Sequence, residues 1–272
     1  MTDEAHQPTP QPAGDLGTAS SQARVQFVGT GPGDPNLLTL GAVDAINRAQ
    51  VIVISCAEHR MLLGSDFLGL RPDVRIVLAG GVDEEAAVLP SQPGTGAPTP
   101  VDVDDHCADV TATVIDAASQ GLEVVRLVSG DPFLDGDIGA EAAAVARADY
   151  DVDVVPGVTG MTAVPEYAGL TLHGHDVQLI GDAACQRDIA GHGSNWSDQG
   201  LVVVNTEAGK LKEVVKHAIE SGRGEDEPAA LICHGATTQQ TTHTVTLGEL
   251  PQTAKTARLG DAEPVHVAIG KV

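Results

Sequence analysis

The sequence has few aromatic residues and few basic ones. Aromatic residues make up 2% of the 272 positions, and 15 Lys and Arg stand against 38 Asp and Glu, for a formal net charge of −23. A chain of this charge repels phosphate backbones, which argues against nucleic-acid binding. The 42% of hydrophobic residues are enough for a sizeable core of Val, Ala, Leu and Ile. The length favours about two domains.

Long hydrophobic runs and clustered cysteines are also missing. No segment reaches the roughly 20 consecutive apolar residues that a membrane-spanning helix needs, so we expect no membrane partner. The four cysteines are far apart and form no C-x-x-C pair, which indicates neither a zinc site nor a redox pair. We expect no metal and a reducing, cytoplasmic location. Residues 1–23 are rich in Pro, Gln and Ser and are interpreted as a disordered leader.

Short apolar segments alternate with amphipathic ones from residue 24 onward. Residues 25–28, 37–49 and 51–54 have the pattern of a strand, a helix and a buried strand. Repeated along the chain, this pattern predicts an α/β protein with mainly parallel sheets and an antiparallel strand near the end. We divide the chain into an N-terminal α/β domain, 24–134, and a C-terminal α/β domain, 135–272. A Pro/Gly-rich segment near residues 90–100 is predicted to be a surface insertion.

Three glycine-containing loops, at Gly31, Gly130 and Gly157, each follow a predicted strand. Taken singly, such glycines commonly form tight turns, and Asp34 is placed to cap the helix that follows the first loop. Because carboxyl ends of parallel strands meet at one edge, the three loops together favour a shared ligand cleft. The spacing G-x-G-x-G differs from the dinucleotide fingerprint G-x-G-x-x-G, and no G-K-[ST] of a phosphate loop follows.

Five motifs resemble, in order, those of the tetrapyrrole methylases, a family of S-adenosylmethionine-dependent enzymes that includes uroporphyrinogen-III C-methyltransferase and the precorrin methylases. The resemblance covers about residues 25–272. The motifs are V-G-T-G-P-G-D-P-N-L-L-T-L at 28–40, R-L-V-S-G-D-P-F at 126–133, V-P-G-V-T at 155–159, Y-A-G-L-T-L at 167–172, and E-P-A-A at 227–230 followed by H-G-A-T-T-Q-Q at 234–240.

The resemblance implies two α/β domains with the cofactor cleft between them, and usually a homodimer. It implies S-adenosylmethionine as cofactor, S-adenosylhomocysteine as its product, and a tetrapyrrole as substrate, most simply uroporphyrinogen III. The cofactor contacts that it implies are Pro32, Ser129, Gly130, Asp131, Leu134, Thr159, Gly160, Asn205 and Gly235.

The chain also departs from the family pattern. Ser55 stands where the uroporphyrinogen methylases have an Asp proposed as a proton acceptor, and residues 134–141 lack the Arg of the family's F-G-R-G-G-E-E. Fewer cations argue against a polycarboxylate substrate. The departures resemble the methylase half of actinobacterial proteins in which it precedes a uroporphyrinogen-III synthase. Two hypotheses follow: a C-methyltransferase whose catalytic residues are unassigned, or an impaired methylase-like domain that binds the cofactor as a partner or regulatory module.

Overall fold

The computed structural model describes residues 23–80, 105–107, 109–136 and 138–271. The leader as far as residue 22 and the insertion near residues 90–100 lie outside the described residues, so both remain predictions. Strands and helices alternate along the described chain. The strands are β1 (Arg24–Gly29), β2 (Val51–Ile54), β3 (Arg75–Ala79), β4 (Asp105–Cys107), β5 (Val124–Val128), β6 (Asp151–Val155), β7 (Val177–Ile180), β8 (Leu201–Glu207), β9 (Pro228–Cys233), β10 (Thr241–Thr246) and β11 (Pro264–Ile269).

The α-helices occupy most of the connections between these strands. They are α1 (Leu40–Arg48), α2 (Ala57–Leu63), α3 (Val110–Ser119), α4 (Gly139–Arg147), α5 (Gly160–Tyr167), α6 (Asp182–Ile189), α7 (Leu211–Glu220) and α8 (Leu250–Thr256).

The first sheet is parallel throughout, in the order β4-β3-β2-β5-β1-β6. Successive side chains of a strand point to opposite faces, so Phe27 and Val28 enter two different cores. Phe27 packs in the core that contains α3 and α4, and Val28 in the core that contains α1. Both faces are therefore covered by helices, which explains the continuous apolar strands and confirms the predicted α/β class.

The second sheet has the order β10-β9-β11-β8-β7, and only β7 and β8 pair in parallel. The prediction of mainly parallel sheets fits the first sheet but not the second, and the antiparallel strand predicted near the end is confirmed, because β11 runs antiparallel to both β8 and β9. The loop of residues 234–240 between β9 and β10 is too short for a parallel crossover, so this pair is antiparallel as well.

Some element boundaries also differ from the prediction. Asp34 caps a 3₁₀ turn at Pro35–Leu37, and Thr39 caps α1, which therefore begins at Leu40 and not at residue 37. The sequence pattern of residues 104–119 predicts a single helix, but the structure has β4 and then α3 in this range. Helices α2 and α6 were not predicted. The division at 134/135 remains a prediction; the first sheet takes its sixth strand, β6, from beyond that point.

Candidate functional site

Three loops leave the carboxyl ends of the adjacent parallel strands β5, β1 and β6. We call them the second loop (residues 129–136), the first loop (30–36) and the third loop (156–159). The first and second loops are joined by a short antiparallel bridge. The backbone N–H of Gly130 donates to Gly31 O at 2.8 Å, and that of Gly31 donates to Gly130 O at 3.3 Å. The loops thus form one continuous edge, as the sequence predicted.

The glycines of this edge let three backbones touch. A Cβ atom on Gly157 would lie within 3.0 Å of the carbonyl oxygen of Gly130 and 2.9 Å from the Cα of Gly29. Real Cβ atoms do not approach backbone that closely. The strand ends therefore pack backbone against backbone, which only glycine permits at these positions.

A partly buried carboxylate, Asp135, ties the second loop to the start of α5. It accepts hydrogen bonds from the backbone N–H of Asp131 at 2.7 Å and from the hydroxyl of Thr159 at 2.9 Å. Burial raises the pKa of Asp135, and the backbone N–H groups of Asp131 and Gly160 oppose the shift. Asp131 in turn accepts from the backbone N–H of Leu134 at 3.1 Å. The predicted cofactor residues of this loop are thus held by their own carboxylates.

His59 of α2 lies buried beneath the first two loops. Its Nε2 is 3.3 Å from both the Thr30 and the Ser129 hydroxyl oxygens. Burial and then the charge of Arg126 lower the pKa of His59 to about 3, so the ring is neutral at pH 7. Thr30 donates its own proton to Val128 O at 3.2 Å, so its oxygen accepts from Nε2. The ring then contacts both hydroxyl oxygens, and the Ser129 hydroxyl is also within hydrogen-bond distance of the Cys56 thiol.

We expect the buried neutral ring of His59 to make folding sensitive to acid. Between the folded pKa of about 3 and the ordinary value of 6.5, the unfolded chain binds a proton that the folded chain excludes. Stability is therefore lost as the pH falls below 6.5, by about 2 kcal/mol between pH 8 and pH 5. Urea unfolding of His59→Leu should show a shallower pH dependence than the native protein, whereas His173→Leu, at an exposed position, should keep the native slope. Equal slopes for all three proteins would contradict the assignment.

The second sheet supplies the opposite wall of the cleft. On the face toward α5, alternate residues of β8, Leu201 and Val203, are buried with Met161. The next residue in this alternation is Asn205, which pairs directly with His266 of β11. Directly opposed residues share a face, so an apolar surface ends in two polar side chains.

The His266 ring meets the first loop and the start of α5. A Cβ atom on Gly160 would lie 3.1 Å from His266 Nε2 and 3.5 Å from the Cβ of Pro32. This Nε2 is shielded from solvent and has no hydrogen-bond partner among the described residues. Burial lowers the pKa of His266 to about 4, so the ring is neutral at pH 7.

A fourth loop, residues 234–240 after β9, closes the site. A Cβ atom on Gly235 would enter the side chain of Val164 in α5, at less than 3.0 Å. Gly33 of the first loop lies against Thr237, because a Cβ there would be 3.1 Å from its methyl group. The hydroxyl of Tyr167, at the end of α5, donates to Asp34 at 2.9 Å. Four loops and the α5 helix thus surround one space.

The structure brings all nine predicted cofactor residues to this space, although whether they contact a cofactor remains a prediction. They lie on the four loops, at the start of α5 and at the end of β8. Sequence reasoning missed Asp135, His59 and His266. The available signals were an acid four residues after Asp131 and a polar residue within the apolar alternation of β11. His59 carried no such local signal.

Cations near the cleft are already engaged. Arg126, in the second motif, is buried and forms an ion pair with Glu141 at 3.0 Å, besides donating to the Leu127 carbonyl. Ser55 directly follows β2, and the neighbouring Cys56 thiol lies 3.7 Å from the Ser129 hydroxyl. In the described part of the chain, no group of three His, Cys, Asp or Glu side chains is arranged to hold a metal. No helix there is long and apolar enough to span a membrane.

A parallel α/β sheet and a mixed sheet that meet at the four loops define a two-sheet α/β protein. The chain belongs to the tetrapyrrole (corrin/porphyrin) methylases, whose family model matches residues 24–251. This confirms the resemblance read from the five motifs.

Relatives and solved structures agree with that family. A siroheme synthase from Methylococcus capsulatus is 33% identical over 91% of this chain and 49% of its own length, so the chain spans about half of that relative. A uroporphyrinogen-III C-methyltransferase from Sinorhizobium is 30% identical over 93% of this chain and 85% of its own length. A cobalt precorrin-4 methyltransferase shares the fold with a TM-score of 0.67 at 20% identity, covering 94% of this chain and 98% of its own.

The fold is also shared with a structure determined with a bound ligand. Uroporphyrin-III C-methyltransferase from Thermus thermophilus, complexed with S-adenosylhomocysteine, has a TM-score of 0.58 at 23% identity and covers 91% of this chain and 92% of its own. At this identity, the likeness concerns the fold.

Proposed function

We propose that this protein transfers a methyl group from S-adenosylmethionine to a tetrapyrrole, with uroporphyrinogen III as the first substrate to test. The observation that carries the proposal is that the nine residues implied by the family resemblance, from Pro32 to Gly235, lie around one space. As in that family, we expect the working protein to be a homodimer.

The residues around the site suit the cofactor in polarity. On one side, Gly29, Gly130 and Gly157 let the strand ends and loops pack backbone against backbone, which fixes the position of the loops. On the other side, the Nε2 of His266 is buried and has no hydrogen-bond partner among the described residues, so it is available to a ligand. A pocket that combines such walls with a few convergent polar groups is typical of small-molecule sites.

Charge favours the cofactor more than the substrate. S-adenosylmethionine carries a sulfonium cation, and when bound it supplies a methyl group activated for transfer. The protein's net charge of −23 attracts cations, and Asp131 and Asp135 lie in the second loop at the cleft. The same field repels a polycarboxylate tetrapyrrole, which must therefore find its own cations.

The chain's own residues would position the reactants. His59 orients the Ser129 hydroxyl, and Asp135 fixes Thr159 at the start of α5. Holding two reactants in line is worth several orders of magnitude when one of them is already activated.

A second function is favoured by Ser55. With no acid at the end of β2, the domain would bind the cofactor but turn over slowly, and would act as a partner or regulatory module in tetrapyrrole synthesis.

We expect the native protein to bind S-adenosylhomocysteine with a dissociation constant in the micromolar range, because hydrogen bonds hold the loops of the site in place before a ligand binds. Isothermal titration calorimetry measures this directly, and an anaerobic assay with uroporphyrinogen III and methyl-labelled S-adenosylmethionine measures transfer. S-adenosylmethionine and its product should compete for one site. Binding of neither compound at millimolar concentration would refute both functions, whereas binding without transfer would favour the second.

A further inference from the structure

The polar end of the second sheet carries a histidine that the family motifs do not assign. His266 lies among three predicted cofactor residues: it pairs with Asn205 and touches the space between Gly160 and Pro32. Its Nε2 is buried and has no hydrogen-bond partner among the described residues. Buried polar atoms are nearly always bonded, and an unbonded one destabilises the fold unless a ligand completes it.

We propose that His266 binds the adenosine part of S-adenosylmethionine through Nε2, with the Asn205 amide beside it. The inference rests on the proposed function and adds to it a binding residue with a stated ligand chemistry.

The surface around His266 suits a neutral ligand group better than a charged one. The ring is neutral, and its neighbours on this face are the apolar side chains of Val203 and Ala268. A carboxylate or ammonium placed here would lose its hydration with no opposite charge to compensate. The adenine ring instead presents N–H donors and ring-nitrogen acceptors, which match an imidazole and an amide.

The charged part of the cofactor has a better place across the cleft. Asp131 and Asp135 lie on the second loop, where an ammonium or sulfonium cation meets carboxylates. The cofactor would therefore lie with its adenosine toward β11 and its amino-acid part toward the second loop.

The test compares His266→Phe and His266→Gln with the native protein. Phe keeps a flat ring without nitrogen, Gln keeps hydrogen-bonding capacity, and His243→Phe makes the same change on β10, the far edge strand of the same sheet. Calorimetric titrations use S-adenosylhomocysteine, 5′-methylthioadenosine, which lacks the amino-acid part, and homocysteine, which lacks adenosine.

We expect His266→Phe to weaken the binding of S-adenosylhomocysteine and of 5′-methylthioadenosine by about tenfold each. This is the usual effect of losing one hydrogen bond to a buried group. Homocysteine binding should not change, His266→Gln should lose less than Phe, and His243→Phe should bind as the native protein does. Without ligand, His266→Phe should melt no lower than the native protein, because an unbonded buried nitrogen has been removed.

Binding by His266→Phe within twofold of native for both adenosine compounds would overturn the proposal. If that variant does not fold, the NMR chemical shifts of the His266 ring nitrogens in the native protein test the proposal, and His266→Gln identifies their signals. Adding 5′-methylthioadenosine should change these chemical shifts. No change would overturn the proposal. Failure of the native protein to bind any of the compounds would instead refute the proposed function.

Discussion

Gly157→Ala should destabilise the protein by about 3–4 kcal/mol and abolish S-adenosylhomocysteine binding. The new methyl group would overlap with the carbonyl oxygen of Gly130 and the backbone of Gly29. None of these atoms is the end of a flexible side chain that could move aside. Overpacking typically costs about 1–3 kcal/mol when side chains can move, and here backbone has to shift. The strand ends that would clash also carry the loops of the site. A backbone movement that relieves the clash would therefore move these loops apart.

Urea unfolding and calorimetric titration measure the two effects in one preparation. Gly69→Ala is the matched control, because its Cβ would meet only the Asn47 side chain, at 3.8 Å, an ordinary contact. The control should stay within about 0.5 kcal/mol of native and bind normally. A Gly157→Ala protein that matched the control in both measurements would show that the three loops do not need this close approach.

The loops themselves could be predicted because their signal is local. Gly and Pro directly after a short apolar run mark a strand end, and the structure places turns after β1, β5 and β6 as expected. The convergence of the three loops depends on β1 lying between β5 and β6, an order that no local pattern carries. The position of the three loops at strand ends favoured a shared cleft, and the family motifs named the residues expected in it.

The direction of β11 and the role of His266 could not be predicted from local sequence patterns. The alternation in β11 predicts a strand but not its direction, and insertion of β11 between β8 and β9 makes the sheet mostly antiparallel. Which alternate residues of β11 face inward depends on α5 packing against it. Before that packing is known, His266 is one polar residue in an apolar strand, and its relation to Gly160 and Pro32 is invisible.

Ser55→Asp should raise the rate of uroporphyrinogen III methylation by about 10²- to 10⁴-fold, the usual contribution of a positioned proton acceptor. Ser55 directly follows β2, which pairs with β5, and the thiol of its neighbour Cys56 lies 3.7 Å from the Ser129 hydroxyl of the second loop. A carboxylate at this partly buried position would lie beside the cleft. Burial and the surrounding negative charge would raise its pKa toward the working pH, which suits a base.

The rate measurement needs two controls, because an added charge alone could change a protein with a net charge of −23. Ser119→Asp adds the same charge at an exposed position at the end of α3 and should leave turnover unchanged. S-adenosylhomocysteine affinity should be similar in native protein and Ser55→Asp, since the change adds an acid without removing a cofactor contact. If the native protein already turns over at about 1 s⁻¹ or faster and Ser55→Asp brings no gain, the site is intact and the proton leaves by another group. The neutral ring of His59, with its pKa of about 3, is too weak a base for that role, so the search would turn to the substrate's own carboxylates.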